Sequence, residues 1–157
     1  RQIIFFTQSG LVSLDAEGRE LWRYPFPYQT STAASPVVWQ DIVYCSAGYG
    51  VGGAAVRVSR EGERFSVKEL WRHPGRTMSH WSTPVARDGF LYALIGFKEF
   101  GTGPLKCIEL ATGVEKWSQS GFGSGGNNYG LLNTGNILVG SGGTLVFNSG
   151  NAFATAL

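Results

Sequence analysis

Asp41-Ile-Val-Tyr-Cys-Ser-Ala-Gly48 returns 48 residues later as Gly89-Phe-Leu-Tyr-Ala-Leu-Ile-Gly96 and, after a further 46, as Gly135-Asn-Ile-Leu-Val-Gly-Ser-Gly142. A second anchor keeps the same period: Glu20-Leu-Trp22-Arg, Glu69-Leu-Trp71-Arg and Glu115-Lys-Trp117-Ser, with tryptophan spacings of 49 and 46. Ser35-Pro36-Val37 likewise comes back as Thr83-Pro84-Val85. Unrelated anchors that share one period mark a repeat protein, with units of roughly 47 residues.

Inside one unit the pattern is strand and turn. Pro36 opens a short strand to Gln40, where a proline removes no ladder bond. Gln40-Asp41 turns the chain into Ile42–Ser46, which is rich in strand formers. Residues 54–58 alternate, with Val56 and Val58 on one face and Arg57 on the other, and Lys68–Arg72 supplies a fourth strand with Leu70 and Trp71 on opposite faces. Four short strands per unit predict an antiparallel meander that stacks on its neighbours. The unit boundaries fall at about 1–34, 35–82, 83–129 and 130–157. One stretch offers a rival pattern: Arg57, Arg60, Arg64, Lys68, Arg72 and Arg76 keep the spacing of a helical face. Gly62, Pro74, Gly75 and the β-branched Val56, Val58 and Val67 oppose a basic helix there.

Composition agrees with an all-β chain. Of 157 residues 23 are Gly, about twice the ordinary share, while aromatics make up 13% and charged residues only 15%. A formal net charge of +2 is far from that of a protein that grips a phosphate backbone, so nucleic acid is not an expected partner. No apolar run approaches a membrane span. Cys45 and Cys107 lie 62 positions apart and announce neither a disulfide scaffold nor a zinc site.

Cys107-Ile-Glu109-Leu-Ala-Thr-Gly113-Val-Glu-Lys-Trp117 and Ser13-Leu-Asp15-Ala-Glu-Gly18-Arg-Glu-Leu-Trp22 resemble the blade-locking motif Ala-x-Asp-x-x-x-Gly-x-x-x-Trp of the pyrroloquinoline-quinone-like (quinoprotein-like) β-propeller repeat family. The first has Glu in the acid position and Cys in the Ala position; the second is one residue short before Gly18. The copy that ends at Trp71 stretches the turn and lacks the acid-to-glycine spacing. The resemblance covers about residues 1–147. It implies an all-β chain carrying about three four-stranded antiparallel blades of a seven- or eight-bladed propeller. Propellers close with about four to eight blades, the chain opens at Arg1, and its only methionine is Met78. The segment is therefore read as an internal part of a longer ring, with the remaining blades as its first partners.

For this motif the resemblance implies structural roles. Asp15 and Glu109 are expected to hold the turns, Gly18 and Gly113 to supply positive φ, and Trp22, Trp71 and Trp117 to pack between blades. The family includes quinoprotein dehydrogenases, with adjacent cysteines, a calcium ion and a catalytic Asp, and many non-catalytic bacterial envelope proteins of the outer-membrane assembly lipoprotein type. This segment has no Cys-Cys pair, and its only aspartates are Asp15, Asp41 and Asp88. No catalytic, cofactor-binding or metal residue is assigned. His73 and His80 lie seven apart without a third ligand at metal spacing. Gly48-Tyr-Gly50-Val-Gly-Gly53 and Gly121-Phe-Gly123-Ser-Gly-Gly126 match G-x-G-x-x-G, but strand-like sequence follows where a dinucleotide site needs a helix. Arg76, His80, Trp81 and Asn128 precede or open first strands and are candidates for lining the mouth of a central channel. The functional expectation is a non-catalytic binding or scaffold module of a bacterial envelope, periplasmic or secreted protein, taking a protein, sugar or small-molecule ligand at one propeller face. Two alternatives stand beside it: a dehydrogenase whose pyrroloquinoline quinone and calcium lie in other blades, and a sugar- or peptide-binding propeller attached to a signalling domain.

Overall fold

The structure, a computed structural model, describes residues 1–30, 32–79, 82–95 and 104–119, together with the backbone of two short strands at 137–138 and 144–145. Every element among them is a strand. The first sheet contains β1 (Ile3–Thr7), β2 (Gly10–Leu14) and β3 (Glu20–Pro25). The second contains β4 (Val37–Trp39), β5 (Ile42–Ala47), β6 (Gly52–Glu61) and β7 (Arg64–His73). The third contains β8 (Val85–Arg87), β9 (Phe90–Leu94), β10 (Leu105–Glu109) and β11 (Glu115–Gln119). β12 (Ile137–Leu138) and β13 (Thr144–Leu145) form a separate antiparallel pair. Each of the three larger sheets is an antiparallel meander in which sequence neighbours are spatial neighbours. The basic stretch from Arg57 to Arg76 belongs mainly to the β6–β7 hairpin: a glycine turn and a run of β-branched residues outweigh its helical charge spacing.

The last two strands of all three sheets slip at the same place. Ser13 pairs with Trp22 but Leu14 with Glu20; Ala55 pairs with Trp71 but Val56 with Glu69; Cys107 pairs with Trp117 but Ile108 with Glu115. Leu21, Leu70 and Lys116 are thus the extra residues of three equivalent β-bulges. In a regular strand residues i and i+2 share a face. A bulge breaks that parity, so in the first two sheets the glutamate stays exposed while the tryptophan two residues on turns into the core. This is the physical content of the repeated Glu-x-Trp.

The sheets bury their faces against each other in sequence order. Leu11, Trp22, Tyr24 and Phe26 of the first sheet and its following loop pack on Val43, Cys45, Ala47, Ala54 and Val56 of the second. Val37, Ile42, Tyr44, Ala55 and Trp71 on the other face of the second sheet pack on Leu91, Ala93, Ile95, Ile108 and Leu110 of the third and its flanking loops. The second sheet is therefore covered on both faces, and every residue of β5 is buried. β4 runs beside β8, and β3 beside β7. Ser35 N donates to Thr83 Oγ1 at 3.0 Å, which joins two equivalent repeat positions directly.

The loop between β5 and β6 carries the first glycine fingerprint, and β6 rather than a helix follows it. A Cβ on Gly52 would lie 2.1 Å from the His73 carbonyl oxygen, and one on Gly53 would lie 2.5 Å from the Thr77 carbonyl oxygen. These glycines admit the connector that leaves β7. Tyr44 Oη donates to the Thr77 carbonyl at 2.6 Å, and the buried Ser46 hydroxyl donates to the Ser79 carbonyl at 2.9 Å while accepting from Ser79 N at 3.1 Å.

Candidate functional site

The two interfaces between sheets are built differently, and the difference starts at the turn joining third and fourth strands. Between β10 and β11, Glu109 N donates to the Val114 carbonyl at 2.9 Å, and Gly113 N to the Glu109 carbonyl at 2.8 Å. The Glu109 carboxylate accepts from the Thr112 hydroxyl at 2.6 Å and pairs with Lys116 at 3.2 Å. Gly113, at φ 73°, lies directly beneath the side chains of Trp71 and His73. The Trp71 indole donates to the Leu110 carbonyl at 2.7 Å, so the fourth strand of one sheet is locked onto the turn of the next.

The shorter Asp15 reaches the turn amides that Glu109 does not. Its carboxylate accepts from Glu17 N at 3.0 Å, Arg19 N at 2.8 Å and Arg19 Nε at 2.7 Å. The bond from the Arg19 amide is foremost in holding the acid below its usual range, against some desolvation. A lowered native value makes the contribution of this acid complete above the ordinary carboxyl value near 3.8; it is lost as pH falls through the lowered one. Asp15→Asn should therefore be less stable than the parent at pH 7, with the gap closing in acid. Denaturant midpoints from pH 7 to 2 measure it, and a gap that stays constant across that range would remove the carboxylate from the turn's stability.

Between the first and second sheets no such lock forms, because the β6–β7 hairpin runs ten residues on each side of its turn instead of closing into a glycine turn beneath Trp22. Trp22 is capped from its own sheet: its indole donates to the Gln2 side-chain oxygen at 2.6 Å, and that oxygen also accepts from the Ser13 hydroxyl at 2.9 Å. The outer strands are joined by a polar cluster. Tyr24 Oη donates to the Glu69 carboxylate and accepts from Arg72 Nη2 at 2.8 Å, while the same nitrogen donates to the Pro25 carbonyl at 2.6 Å. The Arg72 guanidinium also lies over the rings of Tyr24 and Phe26, at 5.3 and 4.8 Å. Burial, foremost, and the neighbouring Glu69 carboxylate push the Tyr24 hydroxyl well above its usual range, so it serves as a neutral linker. What the missing turn leaves open is a groove of about 810 Å³, bordered by Leu21, Trp22, Val58 and Phe65 and rimmed by charges of both signs.

A smaller cleft, about 450 Å³, lies between the second and third sheets. His73, Lys106, Glu115 and Gly113 line it, and the buried Met78, Ile95 and Ile108 form its apolar floor. Arg76, an expected binding residue, stands exposed on its rim. The neighbouring Thr77 has φ 51°, a left-handed conformation that is unusual for a β-branched residue. His80, Trp81 and Asn128 lie outside the described residues, as does the glycine run from Gly121 to Gly126. Trp117 is 43% exposed, with its ring 6.2 Å from that of Tyr92. Lys106 and Glu115 were invisible as cleft residues in the sequence, because only the docking of two sheets brings them to the cleft that Arg76 borders.

Chemically, the described interfaces consist of structural pairs and clefts. Asp41 pairs with Arg57 at 3.0 Å and Asp88 with Arg87 at 3.3 Å. Cys45 and Cys107 are free and buried, and burial raises both thiols above their usual range, which disfavours the nucleophilic thiolate. No group of three His, Cys, Asp or Glu side chains among the described residues is arranged to hold a metal ion. No known family model and no curated protein matches the chain.

Proposed function

We propose that this chain forms part of a seven- or eight-bladed quinoprotein-like β-propeller that acts as a non-catalytic binding or scaffold module in a bacterial envelope or secreted protein. The observation that carries the reading is the Trp71 lock: a fourth-strand indole, re-aimed by a recurrent bulge, bonded to Leu110 and seated on the Gly113 turn of the next sheet. Repetition of the bulge in three successive sheets supports a stack that propagates one blade at a time. Such a scaffold offers its connecting loops and inter-blade clefts to a partner or a small ligand. No helix among the described residues is long and apolar enough to cross a membrane. The fold alone does not fix function, so the test targets the chemistry that separates this reading from an oxidoreductase. The purified full-length protein is titrated with pyrroloquinoline quinone and calcium, following quinone absorbance and dye-linked alcohol oxidation. The expected result is no saturable uptake and no turnover. Stoichiometric uptake with turnover would overturn the scaffold reading in favour of a dehydrogenase.

A further inference from the structure

We propose that the cleft between the second and third sheets binds a small organic monoanion: a carboxylate carried on an apolar body. Its charge inventory is asymmetric. Lys106 is matched by Glu115 at 2.6 Å. The Arg76 guanidinium has no hydrogen-bond or ion-pair partner among the described residues, so one cation that borders the cleft is left without a described counter-charge. A guanidinium is well suited to receive a carboxylate through two parallel bonds. The His73 imidazole lines the same cleft, its ring centroid 4.7 Å from that of Trp71 and tilted by 32°. Beneath this polar rim, Met78, Ile95 and Ile108 are exposed by only 5%, 8% and 1%. The volume of about 450 Å³ falls within the range of small-molecule pockets. One unmatched cation above an apolar floor selects a monoanion with a hydrophobic portion over inorganic phosphate.

The rim is also held in place before any ligand arrives. Arg76 N donates to the His73 carbonyl at 3.1 Å and Gly75 N to the Val51 carbonyl at 3.4 Å. Tyr44 fixes Thr77 through its carbonyl, against the close approach of Gly53. Thr77 is thereby kept at φ 51°, and unfavourable backbone conformations of this kind concentrate where a binding loop is held in shape. The larger groove carries no equivalent argument: Asp15, Glu20 and Asp41 on its rim pair with Arg19, Arg23 and Arg57, and its remaining charges, Arg1, Arg60 and Glu63, are of both signs and select no one charge. The proposed site uses two sheets only, so it stands whether or not the stack closes into a ring.

The test uses the full-length protein, with benzoate as probe, benzyl alcohol as its uncharged counterpart and inorganic phosphate as the plain anion. Benzoate should produce saturable NMR shifts of the His73 ring proton and of the Met78 methyl. Arg76→Ala should weaken that binding at least about tenfold, the scale of one lost charged hydrogen bond, and Arg76→Lys should retain part of it. Because Arg76 is exposed, its unfolding midpoint should not move. Equal benzoate affinity in the parent and Arg76→Ala would overturn the proposal, as would the absence of shifts at His73 and Met78. Equal binding of benzyl alcohol would reduce the cleft to an apolar cavity, and tighter binding of phosphate would make it an inorganic-anion site; either result also overturns it.

Discussion

Trp71→Ala is expected to destabilise the protein by about 3–5 kcal/mol, the scale for emptying a large buried aromatic site. Three effects act together. The indole is 7% exposed and belongs to the core shared by the second and third sheets. Its removal leaves a cavity beside Tyr44, whose ring lies 6.0 Å away, and that cavity cannot collapse while both sheets keep their hydrogen-bond ladders. The Leu110 carbonyl also loses its donor, and a buried acceptor left unpaired costs about 1–3 kcal/mol by itself. Trp71→Phe separates the contributions, since it retains much of the packing while losing the indole N–H and a smaller part of the ring volume. Equilibrium unfolding in denaturant measures all three proteins. A loss below about 1 kcal/mol for Trp71→Ala would show that the sheets dock without this residue. A Phe variant as damaged as the Ala variant would place the hydrogen bond ahead of the packing.

The strands and their order were legible in the sequence because they rest on short-range chemistry: the Gln40-Asp41 turn, runs of β-formers and a period that three anchors share. The all-β architecture with antiparallel sheets of three to four strands follows from those signals. Where interfaces formed depended on something finer. Glu-x-Trp was readable as an anchor, but a bulge leaves no mark in composition, so its consequence for Glu69 and Trp71 emerged only from the pairing of Ala55 and Val56. The stretched turn of the second unit was visible as a departure from the motif. That it opens a groove beside Trp22, whereas Gly113 closes the corresponding space under Trp71, is a property of two sheets together. The cleft was legible only through Arg76. Lys106, some thirty residues further along the chain and in the next unit, becomes its neighbour through stacking alone.

Gly113→Ala should cost about 2–5 kcal/mol, and the matched change Gly18→Ala only about 1–2 kcal/mol. Both glycines have positive φ, 73° and 83°, so an alanine meets a similar left-handed backbone penalty at either site. They differ in what surrounds the new methyl. At Gly18 nothing lies within 4 Å. At Gly113 the Cβ would stand 2.7 Å from Trp71 Cδ2, 2.9 Å from Trp71 Cγ and 2.7 Å from His73 Cε1. Neither ring can retreat easily, since the indole is bonded to Leu110 and the imidazole packs against the indole. The additional cost is therefore that of pushing two sheets apart, about 1–3 kcal/mol on the scale of overpacked cores. A double-mutant cycle sharpens the test. In a Trp71→Ala background the indole contacts are gone and the His73 ring is free to shift into the vacated space, so Gly113→Ala should cost little beyond its backbone penalty. The two changes should then sum to clearly less than their separate losses, as expected for residues in direct contact. Equal losses at Gly18 and Gly113, or strict additivity with Trp71→Ala, would mean that the glycine turn and the tryptophan do not form one lock.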